Sequence, residues 1–441
     1  MKTVIIGANH AGIAAANVLL SQETGHEVVM IDKNSTLSYL GCGTALWVGR
    51  QIDSYEELFY TNKEEFEKKG AQISLETEVE MIDFCNKKVY CKNQTETSCE
   101  TYDKLILATG SRPISPNVPG KDLKNIHFLK SFQDGKTIDS ILDCTDVQNV
   151  AVVGAGYIGV EIAEAMQRRG KNVHLFDGES GALSSYYDPE FSTKMDQTLA
   201  DHGIKLHFGE IATAYKGRET VEAIVTNKQE YPVDLVINAI GFLPNNTLGK
   251  NHLETFKNGA YFVDATQQTS DPDVYAVGDC ATIYSNALQK ETYIALATNA
   301  VRSGIVAGHN IAGIHLNAIG VQGSNGISIF GLHMVSTGLT VKAAGKFDMD
   351  VLYTDYEDYQ KPTFMKENEK VQIRIVYEKA TRRIVGAQLS SKMDVSMAIH
   401  MFSLAIQKQA TIDELKLLDI FFLPHFNQPY NYITMAALAA E

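Results

Sequence analysis

With 441 residues the chain is too long for one hydrophobic core, so two or three domains are expected. Its 44% hydrophobic and 21% charged residues describe an ordinary globular protein, and a formal charge of −14 without a basic stripe argues against nucleic acid or anionic membrane as partners. No run approaches the roughly 18 apolar residues of a membrane span. The six cysteines (Cys42, Cys85, Cys91, Cys99, Cys144 and Cys280) include no C-x-x-C pair, so neither a disulfide framework nor a metal site is expected. The N-terminal apolar run is broken by Gly7-Ala8-Asn9-His10 and reads as structure rather than a targeting signal, which leaves a cytoplasmic setting with reduced thiols.

In chain order, the first element is an apolar strand that enters the turn Gly7-Ala8-Asn9-His10-Ala11-Gly12 and opens a helix. A second strand, Glu27 to Ile31, ends at Asp32, and Cys42 follows in Leu40-Gly41-Cys42-Gly43. The strand Lys104 to Ala108 runs into Thr109-Gly110-Ser111-Arg112-Pro113, and residues 116–147 form a connector. A second strand and glycine turn follow, Val150 to Val153 and then Gly154-Ala155-Gly156-Tyr157-Ile158-Gly159, with a carboxylate at Asp177. The strand 234–240 leads to Gly241, and Val274 to Ala281 reads as a strand ending in Gly278-Asp279 just before a helix. From about residue 325 the texture changes to strands at 327–331, 333–340, 371–377 and 383–389 and helices at 395–408 and 430–440. The expected fold class is α/β, with two Rossmann-like dinucleotide-binding domains and a C-terminal α+β dimerisation domain. The expected boundaries are 1–115 with 245–322, 116–244, and 323–441.

Each glycine turn suits a pyrophosphate, because backbone N–H groups at a helix N-terminus and the helix dipole both favour negative charge. Each acid lies near the offset of about 20 residues at which a carboxylate meets a ribose hydroxyl. Asn9 replaces the second glycine of the first turn and is expected there because asparagine tolerates unusual backbone angles. His10 is either an acid/base group or a residue contacting phosphate. Asp279 either receives hydrogen bonds from a helix and a polyol or is a plain N-cap. Five residues past Cys42, where a local disulfide partner would stand, is Trp47. A lone thiolate can instead attack a peroxide oxygen and become a sulfenic acid. A helix beginning near Thr44 is expected to lower the pKa of that thiol. The segment Phe421 to Tyr430 is a local core or a subunit interface, and the apolar run Ile433 to Ala440 is expected to add to an exposed, associating patch. Asp177 and Glu179, with no arginine nearby in sequence, predict NADH over NADPH by at least about tenfold.

These motifs, with Gly320 to Ser328 and Pro424-His425-Phe426-Asn427, resemble the flavin-dependent pyridine nucleotide–disulfide oxidoreductases that use a single active cysteine. That group contains NADH oxidases, NADH peroxidases and coenzyme A disulfide reductases, and the resemblance is greatest to the water-forming NADH oxidases. It spans the whole chain. It implies FAD held by Gly7, Ala8, Asn9, His10, Ala11, Gly12, Asp32, Lys33, Cys42, Val79, Ala108, Thr109, Gly110, Ser111, Lys130, Asp279 and Ala297, with Phe426 reaching the partner subunit's flavin in a homodimer. It implies NADH, as co-substrate, against Gly156, Tyr157, Ile158, Gly159, Asp177, Tyr186, Gly241 and Gly326. His10 and Cys42 would be the catalytic pair, and the net reaction would turn two NADH and one O2 into two waters. Peroxide as the substrate, a coenzyme A mixed disulfide at Cys42, and a non-enzymatic flavin redox sensor are the alternatives.

Overall fold

The computed structural model describes residues 1–22 and 25–441. Its first sheet has five parallel strands in the order Val274–Ala276, Lys104–Leu107, Lys2–Ile6, Glu27–Ile31, Gln72–Ser74. Runs such as Val28-Val29-Met30-Ile31 are buried throughout, as a parallel sheet covered on both faces requires. The helices His10–Leu20 and Ala297–Ile311 lie against each other over this sheet. The second sheet is also parallel and five-stranded, in the order Lys205–Phe208, Asn172–Asp177, Asn149–Val153, Leu235–Asn238, Ile126–Phe128.

The two modules repeat each other beyond their glycine turns. Each places its turn strand between the second strand and a later one, and each inserts a three-stranded antiparallel sheet before that later strand. The inserts are Glu78–Asp83, Lys88–Lys92 and Thr97–Thr101 in the first module, and Ala212–Lys216, Ala223–Thr226 and Glu230–Pro232 in the second.

The C-terminal region forms a five-stranded antiparallel sheet in the order Asn325–Ile329, Leu332–Gly338, Ile384–Ser391, Lys370–Glu378, Val351–Tyr359. Four of these strands match the sequence reading. Val351–Tyr359 does not, because its acids Asp355, Glu357 and Asp358 hide the alternation of an edge strand. A second expectation is corrected in the helix Tyr432–Leu438. Ile433, Ala436 and Ala437 are buried in the C-terminal core rather than offered to a partner, although Leu438 is exposed. The aromatic segment, by contrast, is open: Phe421, Phe422, Phe426 and Tyr430 are all exposed, which removes the local-core alternative. Among the described residues, no helix is long and apolar enough to cross a membrane.

A buried ionic clasp joins the second module to the C-terminal sheet. The Arg374 guanidinium, 3% exposed, donates two bonds of 2.7 Å to Asp355 and one of 2.8 Å to Glu190. Asp188, at the start of the helix Pro189–Asp201, lies 3.3 Å from the same guanidinium and accepts from Gln388 Nε2 and from the amides of Val341 and Lys342. Removing Arg374 leaves the buried Asp188 carboxylate without its cation, while Asp355 and Glu190 are about half exposed and stay hydrated, so Arg374→Ala should cost about 3 kcal/mol of stability in urea titration. Loss below about 1 kcal/mol would mean the cluster is hydrated and structurally idle.

At the outer end of the second sheet, His174 and His207 stack at 5.1 Å, with Nδ1 of the first 3.0 Å from Nε2 of the second. Burial, aided by Lys205, pushes His174 down to about 4, and burial also lowers His207 against the pull of Glu210. Lys228 and Tyr231 face the same cluster through Glu210. In the folded protein His174 therefore stays neutral down to about pH 4, and the shift of His207 acts in the same direction, whereas the unfolded chain gains protons below about pH 6.5. Stability should fall as pH drops from 6.5 toward 4. His174→Phe should flatten that fall by on the order of 2–3 kcal/mol at the acid end, read as Tm against pH. Parallel profiles for the two proteins would exclude the pair as the source.

Candidate dinucleotide and thiol site

The two glycine turns have nearly the same geometry. Gly7 and Gly154 carry φ of +113° and +104°, a region that L side chains rarely adopt. Their amides donate to Ile31 O and Phe176 O. Each motif's last glycine rests on the first: a Cβ on Gly12 would lie 1.9 Å from Gly7 O, and one on Gly159 would lie 1.7 Å from Gly154 O. Each strand-end acid accepts the next amide of its turn, Ala8 N to Asp32 at 2.7 Å and Ala155 N to Asp177 at 2.6 Å. Asn34 N and Glu179 N bind the other carboxylate oxygens. Asn9 has φ −116° and ψ −161°, ordinary extended backbone like that of Gly156. The expectation of an unusual angle there is corrected, since only the first glycine of the turn needs one.

Neither helix that follows these turns has a side-chain cap, whereas several other helices are capped by Asn62, Ser131, Thr340 or Asn431. First-turn N–H groups without a capping acceptor, above a cradle that a Cβ would fill, fit a dinucleotide pyrophosphate. The geometry therefore fits one dinucleotide on each turn.

Around the first turn the chain gathers Ser111, Lys130 and Asp279. Ser111 Oγ donates to Asp279 at 2.8 Å, and Lys130 Nζ binds Ser111 Oγ at 2.9 Å and Asp279 at 3.2 Å. The helix expected directly after Asp279 is absent. Gly278–Cys280 is a single 3-10 turn, a hairpin follows, and the helix beside Asp279 in space begins at Ala297. Asp279 is consequently neither a cap of that turn, whose N-cap is Val277, nor sequence-adjacent to its helix. Ala108 backs the first turn, with its carbonyl oxygen 2.2 Å from where a Gly7 Cβ would be, and Thr109 Oγ1 donates to Asn245 O. Val79 is buried in one cluster with Ile6 and Ile31 and has only its backbone polar groups to offer, and Lys33 is exposed.

His10 opens the first-turn helix. Its Nδ1 lies 3.1 Å from Tyr60 OH, and the rings stack at 5.8 Å. Burial pushes the Tyr60 phenol up to about 12, so it stays protonated and shares one hydrogen bond with Nδ1 whose direction follows the imidazole tautomer. Burial lowers the pKa of His10, with Asp279 opposing and Lys130 assisting. The same Lys130 and Asp279 act on Cys42.

Cys42 sits in the 3-10 turn Gly41–Gly43, ahead of the helix Thr44–Val48. Its sulfur opens on a cavity of about 330 Å3, yet dense protein surrounds it on the other sides. This crowding, with the Glu161 carboxylate, pushes the thiol up, while its own amide and Lys130 pull it down. The expected lowering by the helix is thus corrected: a five-residue helix is too short to overcome burial and a nearby acid. Trp47 explains the missing partner thiol. It is 5% exposed and packed against Tyr55 and Phe132, so that position faces core.

The cavity is shared between modules, lined by Cys42, Leu46 and Gln51 of the first, Glu161 and Glu164 of the second, and Gly326, His333 and Asp394 of the C-terminal region. Gly326 was expected on the nucleotide side from the resemblance, whereas Glu161, His333 and Asp394 were missed in the sequence. The available signal was two carboxyls three residues apart in the buried stretch Val160 to Met166. Glu164 is satisfied by Arg168 and Phe330 N. Glu161 has no hydrogen bond among the described residues, and burial beside Glu164 raises it to about 7. On the second turn, Tyr157 OH bonds Tyr187 and Asn325, Tyr186 lies 3.9 Å from where a Gly156 Cβ would be, and Gly241 O accepts from Ile114 N. Phe426 packs on Phe421 at 6.0 Å, outside this chain's own cavity.

Two glycine turns with matched acids, joined by one thiol cavity, have close counterparts. Residues 1–304 match the pyridine nucleotide-disulphide oxidoreductase model, and residues 326–431 match its dimerisation domain. An NADH oxidase of Lactococcus lactis subsp. cremoris is 64% identical over the whole of both chains. The water-forming NADH oxidase of Lactobacillus brevis, solved bound to NADH, superposes with a TM-score of 0.96 at 35% identity, covering 100% of this chain and 98% of that one. An engineered, NADPH-bound variant of that enzyme with five substitutions matches equally well. With family models over most of its length and a full-length relative at 64% identity, the chain belongs to the pyridine nucleotide-disulphide oxidoreductase family.

Proposed function

We propose that this protein is a flavin-dependent NADH oxidase that reduces O2 to water, with FAD on the first turn, NADH on the second and Cys42 as the redox thiol. The carrying observation is the lone Cys42 on the wall of a cavity shared by both modules, with buried Trp47 where a second thiol would stand. We assign residues 1–115 with 245–322 to FAD, 116–244 to NADH and 323–441 to dimerisation. The FAD and NADH contact residues are those that the family resemblance implies. Bound flavin supplies hydride acceptance from NADH and electron delivery to O2.

The chain's own groups handle the peroxide stage. Cys42 thiolate attacks one peroxide oxygen, an S–O bond forms and the O–O bond breaks, and the leaving hydroxide takes a proton to become water. His10, hydrogen-bonded to Tyr60 and facing the Lys130–Asp279 pair, is placed to hold and give that proton. Lys130 favours the Cys42 thiolate. The free thiols Cys42, Cys85, Cys99 and Cys144 are exposed, which supports a reducing, cytoplasmic setting.

If Cys42 performs the peroxide step, Cys42→Ser should still consume NADH and O2 but release hydrogen peroxide in proportion to NADH. A variant that forms only water would remove Cys42 from the reaction.

The exposed Phe421, Phe422, Phe426 and Tyr430 form an aromatic surface continuous with the dimerisation region, which supports a homodimer in which Phe426 reaches the partner's flavin. Light scattering should give a dimer at micromolar concentration, and Phe426→Ala should weaken FAD retention or activity at least severalfold. A fully active monomer would sink the assembly, whereas a dimer indifferent to Phe426→Ala would sink only the contact across it.

A further inference from the structure

The groups that bring sulfur and positive charge to the site stand at the starts of two helices. The helix Thr44–Val48 follows directly on the 3-10 turn that carries Cys42. The helix Phe132–Leu142 begins beside Lys130, whose amide donates to Asp134 of the first turn at 3.0 Å and so ties the lysine backbone to the helix. The two helices lie side by side. A Cβ on Gly135 would come 2.8 Å from Thr44 Cγ2 and 2.9 Å from the Trp47 ring, and one on Gly41 would come 3.7 Å from Lys130 O. Both are pinned at their far ends by one side chain of the second module. Arg169, 10% exposed, ends the helix Tyr157–Arg168 with its amide on Ala165 O, the residue against which Gly49 packs. Its Nη1 donates to Val48 O at 2.9 Å and to Asp139 at 2.8 Å, and its Nη2 donates to Asp143. Val48 is fully buried, so its carbonyl requires a donor from the protein. Asp139 is 17% exposed and carries the ionic contact, whereas Asp143 is exposed and adds little.

We infer that Arg169 is a positioning residue for the redox thiol: it locks the two helices together at the ends remote from the cavity, so that their near ends hold Cys42 and Lys130 in one fixed register. A guanidinium suits this task because its planar fork fixes the angles between its acceptors, here the last carbonyl of one helix and two acids of the other. The helix from Val48 back to Thr44 is only about 7 Å long, so a slip at Val48 reaches Cys42 undiminished. Register matters because Lys130 is the cation that favours the thiolate, against Glu161 and Asp279. A thiol out of register meets peroxide too slowly to hold it, and the peroxide escapes. Arg50 Nη1 lies 2.8 Å from Asp139, so Asp139 keeps a cation when Arg169 is replaced and no buried acid is left bare.

The role of Arg169 rests on that of Cys42 as the peroxide-reducing thiol, and the experiment separates the two. Hydrogen peroxide released per NADH is measured on FAD-loaded wild type, Arg169→Met, Arg169→Lys, Cys42→Ser and, as a protein destabilised elsewhere, Arg374→Ala. In the proteins that keep Cys42, the pH midpoint for alkylation of the reduced thiol by iodoacetamide is read at the Cys42 peptide. Arg169→Met keeps the apolar stem and should release peroxide at several times the wild-type yield, with the alkylation midpoint moved up as the thiol slips from Lys130. Arg169→Lys restores a donor without the fork and should recover part of both. Arg374→Ala should lose stability yet keep the wild-type yield and midpoint. An Arg169→Met protein that retains FAD and matches Arg374→Ala in both readouts overturns the positioning role; where Arg169→Met does not retain FAD, the same comparison on Arg169→Lys decides. If Cys42→Ser itself forms only water, the role of Cys42 falls and that of Arg169 with it. If Cys42→Ser releases peroxide while the Arg169 variants do not, the role of Arg169 alone falls.

Discussion

The site depends on one close backbone approach. The helix Thr44–Val48 ends at Gly49, where an added Cβ would lie 3.0 Å from Ala165 Cα in the helix Tyr157–Arg168. A side chain there would press on Ala45 O and Ala165 and push the two helices apart by a few tenths of an ångström. That contact carries Cys42, from the first module, over the face of the second module's helix on which Glu161 sits, and it closes the shared cavity. The largest hydrophobic cluster follows the same seam, running from Trp47 and Val48 through Ala165 and Met166 to Ile327 and Met334 of the C-terminal sheet. Domain packing here is therefore inseparable from site assembly.

Around that seam the protein uses the same module twice for different ends. Both turns leave helix amides uncapped and both tie an acid to the second amide of the turn. What differs is the surroundings. The first module adds Lys130, Asp279 and the His10–Tyr60 pair. The second adds a tyrosine network and a rigid ionic clasp to the C-terminal sheet. Chemistry is concentrated beside the first turn, and orientation beside the second.

Much of this was legible in the sequence because it is local. Strand–turn–helix signals located both glycine turns and their acids, and four of five C-terminal strands followed from alternation. The misses share a physical origin in tertiary context. Val351–Tyr359 reads as a charged loop until Arg374, 19 residues beyond Asp355, neutralises its acid. Asp279 looked adjacent to a helix by sequence and is adjacent to one only by folding, across a hairpin. The Cys42 thiol was judged by its helix, whereas its burial and Glu161 decide the direction of its shift. Glu161 itself looks like any helix carboxylate until the modules close over it. Periodicity reports which face is buried; it does not report what another module brings to that face.

Trp47 is the chain's only tryptophan, and it sits in the seam with its indole stacked on Phe132 and packed against Tyr55. The residue that takes the place of a second thiol is thus also the molecule's sole indole fluorophore, five residues from Cys42. Its emission wavelength and quenching report the fit between the two modules at a single point. Slippage of that fit would change the packing of this buried indole, and so its emission, in the unmodified protein.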